Sequence, residues 1–421
     1  MDFLYWSAVC VTVVAFLLIT FPISARYMQF FQQEEYDNRR FLAWLKRTRS
    51  YDQRTFFLAF LSGFMLFGVQ TIRDEYTSFS VYLFMYVAGL FALAVSAWAH
   101  VLKAESKKPL VYTTRVKRII GVTLTLHLLL IVIFLSLLAP SLPLFPIHGH
   151  WLVSFIMVMI MLIPYTIVLA NLLLSPYEAR IQQKFLHEAR QKLTEVKPEI
   201  IGITGSYGKT SIKHILAHIL DSHAPTLATP GSVNTQMGIT RIIREKLKRE
   251  HQYFIVEMGA YGIGSIQRLC DLTPPNAALV TAVGVAHYER FKSLETVTQA
   301  KSELPRAVPP HGFAVLNGDD SNCRAMAEQI SCPAFLYGQN RDHHLDCALL
   351  SAETTDQGTS CVFELQGQQH SVIMPIYGTH QALNAAGAFL TAVKLGVPVI
   401  NILAALQTVP RISPPSGCGA W

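Results

Sequence analysis

The residue types best suited to chemistry crowd into one stretch, Glu199-Ile-Ile-Gly-Ile-Thr-Gly-Ser-Tyr-Gly-Lys-Thr-Ser211. A short β-branched run feeds a glycine-containing turn, and Gly208-Lys209-Thr210-Ser211 opens a helix expected to continue through Ile219. Such a turn aims backbone N–H groups and a helix N-terminus at an anion. Gly205 and Gly208 allow close backbone approach, with Ser206 and Tyr207 between them. Lys209 has the charge and reach for the β- and γ-phosphates of a nucleoside triphosphate, and the Thr210 hydroxyl suits Mg²⁺. The spacing is a variant, because Ile203 stands where the commoner phosphate loop has its first glycine.

Further candidates follow in order. Tyr253-Phe-Ile-Val-Glu-Met-Gly259 reads as a buried strand with one carboxylate, Glu257, at its C-terminal edge. That is where an acid can hold a metal beside a phosphate loop. Ala278 to His287 forms another apolar strand, trailed by Glu289, Phe291, Ser293, Leu294, Ala300-Lys301 and Glu303. By type alone, Lys301 is a solvated helix lysine. Val315-Leu-Asn-Gly-Asp-Asp320 reads as a strand end and turn, and Gly378-Thr-His-Gln-Ala-Leu-Asn384 opens an apolar helix through Leu395. Thr229 to Ile239 is the loop expected after the first helix.

The form T-G-x-x-G-K-T-S, with these segments in this order, resembles the central domain of the Mur ligases and folylpolyglutamate synthetases. It looks closest to the branch that adds D-alanyl-D-alanine. The resemblance covers about 195–410, and it implies an α/β phosphate-loop domain with a mostly parallel sheet. It implies ATP and two Mg²⁺ ions as cofactors, with Thr210, Glu257, His287 and Lys301 as metal ligands and Lys301 carbamylated. Lys209, Lys301 and His287 become the catalytic set. The nucleotide contacts become Gly205 to Ser211 with His380 and Asn384, and Gln381 stands where the family has its first Asn. Asn234, Thr235 and Gln236 face the acceptor. The implied reaction joins a carboxylate acceptor, such as a peptidoglycan precursor, to an amino acid or dipeptide amine through an acyl phosphate. Two other readings are compatible: a ligase for poly-γ-glutamate or a similar polymer, and a non-catalytic ATP-binding membrane scaffold. An ATP-fuelled transporter is disfavoured, because no signature helix and no polar pathway in the apolar runs can be found.

The elements that must carry this site occupy only part of the chain. It has 421 residues, 51% hydrophobic and 15% charged, with mean hydropathy +0.32. The apolar excess lies before about residue 175, in runs near 4–25, 55–72, 79–102, 119–138 and 151–174. Each is read as a spanning helix without an ionised residue in its interior. Pro22 and Pro164 are expected to kink or end their helices, and His127 to be a neutral histidine bonded to a neighbouring helix. The basic residues sit in alternate connections: Arg26 to Arg54 after the first run, and Lys103 to Arg118 after the third. Lys and Arg remain cytoplasmic, so the N-terminus is placed outside a bacterial cytoplasmic membrane and the phosphate-loop domain inside. This alternation accounts for the net charge of +7 without nucleic acid as a partner.

The expected organisation is a helical membrane region over 1–175, then a connecting segment over 176–198. There Ile181, Phe185, Ala189 and Leu193 recur at helical spacing, as an amphipathic joint or as the first surface helix of the next domain. The ATP-binding domain is expected over 199–410, with 411–421 as the truncated start of a C-terminal domain. The spans stand where soluble relatives have a uridine-nucleotide domain, which makes a lipid-linked or membrane-proximal acceptor a reasonable expectation. The seven cysteines form no C-x-x-C pair and fit a reducing compartment.

Overall fold

The computed structural model describes residues 2–48, 79–102, 109–138, 145–284 and 293–410, together with Phe57, Phe60, Leu61 and Phe64. The chain divides into two compact units, Met1–Arg180 and Ile181–Trp421.

The first unit is helical: α1 (Asp2–Gln33), α2 (Asn38–Thr48), α3 (Phe79–Leu102), α4 (Thr114–Leu138) and the start of α5 (Phe145–Val196). α1 packs against α3 and α4 around Phe16, Ile19, Ile23, Leu93, Ile119 and Ile163. Its outward residues are also apolar, with Phe84, Phe91, Leu129, Ile133, Leu137 and Leu173 all exposed. In water that pattern would be costly, whereas in lipid it is the expected one. Among the described residues, three helical stretches are long and apolar enough to cross a membrane: Val13–Gln33, Thr114–Phe134 and Val158–Val196; Val87–Trp98 is a shorter apolar helix. Most of the expected second run, 55–72, lies outside the described residues. Pro22, Pro164 and Pro176 all lie inside helices, so of the two expected outcomes, a kink or an end, neither Pro22 nor Pro164 ends its helix. Neighbouring turns can bond the backbone groups that a proline releases.

The second unit is a nine-stranded sheet in the order β2-β3-β1-β4-β5-β6-β7-β8-β9. β1 is Glu199–Thr204, β2 Thr226–Ala228, β3 Tyr253–Glu257, β4 Ala277–Val280, β5 Phe313–Asn317, β6 Ala334–Gly338, β7 Cys347–Thr355, β8 Gly358–Leu365 and β9 Gln368–Met374. The pairs from β2 through β7 are parallel, and β7-β8-β9 is an antiparallel meander. The mostly parallel expectation therefore holds, with an antiparallel edge that the sequence reading lacked. Its second turn is local: Gln366 and Gly367 both take positive φ, 50° and 78°, as a two-residue hairpin turn requires.

Helices cover both faces. On one lie α6 (Lys209–Asp221), α11 (Thr379–Lys394) and α12 (Val399–Gln407), packed through Ile212, Leu216, Ala385 and Phe389. On the other lie α7 (Gln236–Lys246), α8 (Ser265–Leu272), α9 (Leu294–Arg306) and the last turns of α5, packed through Ile239, Leu269, Leu304 and Ala189. α10 (Ser321–Ala327) follows β5. Ala189 is fully buried and Arg244 stacks 3.8 Å from the Phe185 ring. The expected amphipathic stretch is thus a surface helix of the second unit, continuous with the apolar helix before it.

Candidate functional site

The chain leaves β1, visits β2 and β3 on one side, then crosses to β4 on the other. Such a reversal opens a crevice at the C-terminal strand ends. The phosphate loop, Glu257 and the residues after β4 all start there.

β1 is buried from Ile200 onward and delivers the loop from a fixed base. Gly205 has φ +152°, and a Cβ there would lie 1.8 Å from Thr281 Oγ1. Gly208 caps α6 at φ +78°, where a Cβ would lie 2.7 Å from Asn384 Oδ1. Glycine is therefore required at both positions by backbone shape and by space. Asn384, 9% exposed, thus lies against the loop. His380 is exposed in the first turn of α11, its ring near Gly378. The buried Gln381 Oε1 accepts no hydrogen bond among the described residues.

Residues after β4 stitch the loop down. Thr281 Oγ1 donates to the Tyr207 carbonyl at 2.5 Å. Ser206 Oγ donates to the Gly284 carbonyl and accepts from Gly284 N–H, at 2.9 and 2.8 Å. Asp320 accepts from Val283 N–H at 2.7 Å while capping α10, so the turn of Asn-Gly-Asp-Asp anchors the β4 end. Tyr207 itself is exposed, and Ser211 is half-buried in the first turn of α6.

The charged groups converge. Lys209 Nζ donates to the Gly205 carbonyl at 2.7 Å, back across its own loop. Burial pulls its pKa down, and Glu257 partly offsets this. Thr210 Oγ1 donates to Glu257 Oε2 at 3.0 Å. The same oxygen receives Lys213 Nζ at 2.8 Å, and Lys213 also donates to the Gly231 carbonyl. Glu257 is 1% exposed and Lys213 fully buried. Lys301 is 5% exposed on α9, and its pKa falls to about 7, first through burial and then through repulsion by Lys209. The solvated-lysine reading of Lys301 is therefore excluded. A near-neutral amine is what carbamate formation needs, since an ammonium has no lone pair to offer CO₂.

Thr210 and Glu257 supply the hard oxygen donors that Mg²⁺ takes in small number alongside substrate phosphates. No group of three or more His, Cys, Asp or Glu side chains among the described residues could cage a metal alone. His287 lies outside the described residues. In the expected acceptor loop, Asn234 Oδ1 accepts from Tyr261 Oη at 2.7 Å. Thr235 caps α7, and Gln236 Nε2 donates to the Arg268 carbonyl at 3.4 Å. Lys213 and Thr281 escaped the sequence reading. Lys213 had a signal, a charge one turn after Lys209 among Ile212, Ile215 and Leu216; Thr281 had none.

Residues 203–392 match the family described as the Mur ligase middle domain. The chain is 37% identical over 216 residues to the Mycobacterium bovis UDP-N-acetylmuramoyl-tripeptide--D-alanyl-D-alanine ligase, covering 51% of this chain and 42% of that protein. It is 31% identical over 218 residues to the Escherichia coli ligase of the same name, covering 52% and 48%. It therefore spans less than half the length of these relatives. Among solved structures, MurF from Acinetobacter baumannii superposes with a TM-score of 0.51 at 28% identity, over 54% of this chain and 50% of that one.

Proposed function

We propose that this chain is an ATP-dependent, amide-forming ligase of the Mur type, acting on a peptidoglycan precursor from the face of a membrane. The observation that carries this reading is the convergence of Lys209, Thr210, Glu257 and Lys301 at the strand ends of a Mur ligase middle domain. The loop N–H groups and Lys209 would hold the β- and γ-phosphates of ATP. Gln381 Oε1, buried without a donor, would suit the exocyclic amine of the purine. The γ-phosphoryl group passes to an acceptor carboxylate oxygen, and ADP leaves. The amine nitrogen then attacks the acyl carbon, loses a proton, and phosphate departs with the bonding electrons. Mg²⁺, when bound, neutralises charge on the phosphoryl oxygens. Glu257 and the Thr210 hydroxyl would hold one ion, and His287 with carbamylated Lys301 a second. No protein nucleophile is needed.

Asn234, oriented by Tyr261, would face the acceptor beside Thr235 and Gln236. The names of the relatives point to a UDP-N-acetylmuramoyl-tripeptide acceptor and D-alanyl-D-alanine as the amine. The exposed apolar helices support membrane attachment; five spans through a bacterial cytoplasmic membrane, with the N-terminus outside and the ATP site in the cytoplasm, rest on the five apolar runs and the alternating basic connections of the sequence.

The test is phosphate release by the full chain in lipid nanodiscs, given Mg²⁺-ATP, the tripeptide nucleotide and D-alanyl-D-alanine. Release should require both acceptor and amine and should vanish in Lys209→Ala. Nucleotide binding with no release under any pairing would make the chain a scaffold, and absence of nucleotide binding would sink the reading altogether.

A further inference from the structure

Glu257 has two oxygens, and both of its described side-chain donors use the same one. Thr210 Oγ1 and Lys213 Nζ meet at Oε2, at 3.0 and 2.8 Å. Lys213 is fully buried on α6, and a buried ammonium persists only where it is paired and hydrogen-bonded. Its other partner is the Gly231 carbonyl. The Glu257 N–H meanwhile donates to Thr229 Oγ1 at 3.1 Å. The loop leading to Asn234 is thus tied to this acid twice, once by side chain and once by backbone.

An oxygen that already accepts from an ammonium and a hydroxyl is the weaker ligand for a divalent cation, because the positive charges would share it at contact distance. Oε1, which takes no side-chain donor among the described residues, is the favoured oxygen for metal. Mg²⁺ demands a small octahedron and takes carboxylates one oxygen at a time, whereas Ca²⁺ takes more oxygens at longer range and accepts both oxygens of one carboxylate. We propose that Lys213 is a positioning residue that restricts Glu257 to one-oxygen coordination. It thereby sets the nucleotide site's preference for Mg²⁺ over Ca²⁺ and couples that site to the 229–235 loop. The inference rests on Glu257 being the metal-holding acid.

The experiment is ADP binding by calorimetry, on the full chain in nanodiscs, with Mg²⁺, with Ca²⁺ and with chelator. Loss of a residue that orients a metal ligand typically weakens metal affinity by about 10–100-fold. Lys213→Met should therefore weaken Mg²⁺-dependent binding by about that factor while sparing Ca²⁺, so that the Mg²⁺/Ca²⁺ ratio falls at least about tenfold. Lys213→Arg, which keeps charge and donors, should restore much of the ratio. A partly unfolded sample lowers both affinities together and leaves the ratio unmoved. Should Lys213→Met fail to fold, Lys213→Gln keeps an amide donor without the charge and should show the same narrowing. A folded neutral variant with the wild-type ratio overturns the proposal. Wild-type ADP binding indifferent to either cation overturns the Glu257 assignment with it.

Discussion

Both units bury polar groups, but among the described residues the sheet unit is the one that gathers three lysines and one carboxylate. In the helical unit the buried Glu178 pairs with Arg118 at 2.7 Å, and the hydroxyls and the imidazole of the core turn to backbone nearby. Thr20 Oγ1 donates to the Phe16 carbonyl at 2.8 Å and Thr166 Oγ1 to Ile163 at 2.9 Å. His127 bonds the Thr123 and Met159 carbonyls at 2.8 and 3.3 Å, while Ser24 Oγ and Thr123 Oγ1 meet no partner among the described residues. In the sheet unit buried hydroxyls such as Thr204 and Thr391 also turn to backbone, but at the strand ends charged groups meet: Lys213 pairs with Glu257, which also accepts from the Thr210 hydroxyl, and Lys209 lies close enough to Lys301 to repel it. Backbone carbonyls are a sufficient sink for hydroxyls and a neutral imidazole. Burying charge costs far more. Four charged side chains in one crevice, Lys209, Lys213, Glu257 and Lys301, point to chemistry rather than packing.

The sharpest way to break that contrast is to remove one member of the buried pair. Glu257→Ala strands the Lys213 ammonium, and breaking a buried pair from one side costs about 3–5 kcal/mol. For a domain of this size that corresponds to a fall of roughly 6–20 °C in the melting transition of the sheet unit. Scanning calorimetry of the full chain should show it. A transition shifted by under about 2 °C would mean that the pair is solvated and that the contrast is false.

The phosphate loop was legible in the sequence because its chemistry is local. Gly205, Gly208, Lys209 and Thr210 lie within one strand-turn-helix, and the turn demands glycine where the structure has positive φ. Glu257 was legible because a lone carboxylate closing a buried apolar strand is costly unless a cation meets it. Lys213 and Thr281 were not, since their roles exist only once β3 and β4 flank β1. Lys301 misled when taken by type, because burial under α10 and beside Lys209 is a tertiary property. The antiparallel edge was missed for a similar reason: a Gln-Gly turn such as 366–367 is a weaker hairpin signal than Asn-Gly. The helical unit was read from hydropathy alone, which reports length and polarity but not which helices touch.

Lys301 gives the next effect. Its pKa of about 7 lies below the ordinary lysine value of about 10.4. Below pH 7 both folded and unfolded chains hold the proton, and the folded chain carries the full cost of a buried charge. As pH rises from about 7 towards 10, the folded chain has released the proton and the cost fades. In CO₂-free buffer, Lys301→Met should therefore be more stable than wild type by about 2–4 kcal/mol at pH 6, with the gap closing towards pH 9. With ¹³C-bicarbonate at pH 8, wild type should give a carbamate carbonyl resonance that the variant lacks. A variant no more stable at pH 6 would place the amine in water.

The smallest effect belongs to His127. It is fully buried, and a buried imidazole between helices would mark a relay if its partners could carry a proton onward. They cannot: both are main-chain carbonyls, one of them four residues back on the same helix. A neutral imidazole has one N–H to donate, so His127→Leu forfeits about one net hydrogen bond, ~0.5–1.5 kcal/mol, and gains apolar contact beside Phe16. The variant in nanodiscs should melt within a few degrees of wild type and bind Mg²⁺-ADP with unchanged affinity. Loss of nucleotide affinity or of phosphate release in a chain that still melts normally would show that the helical unit takes part in the chemistry. The division between groups that answer to backbone and groups that answer to each other would then no longer separate structure from function.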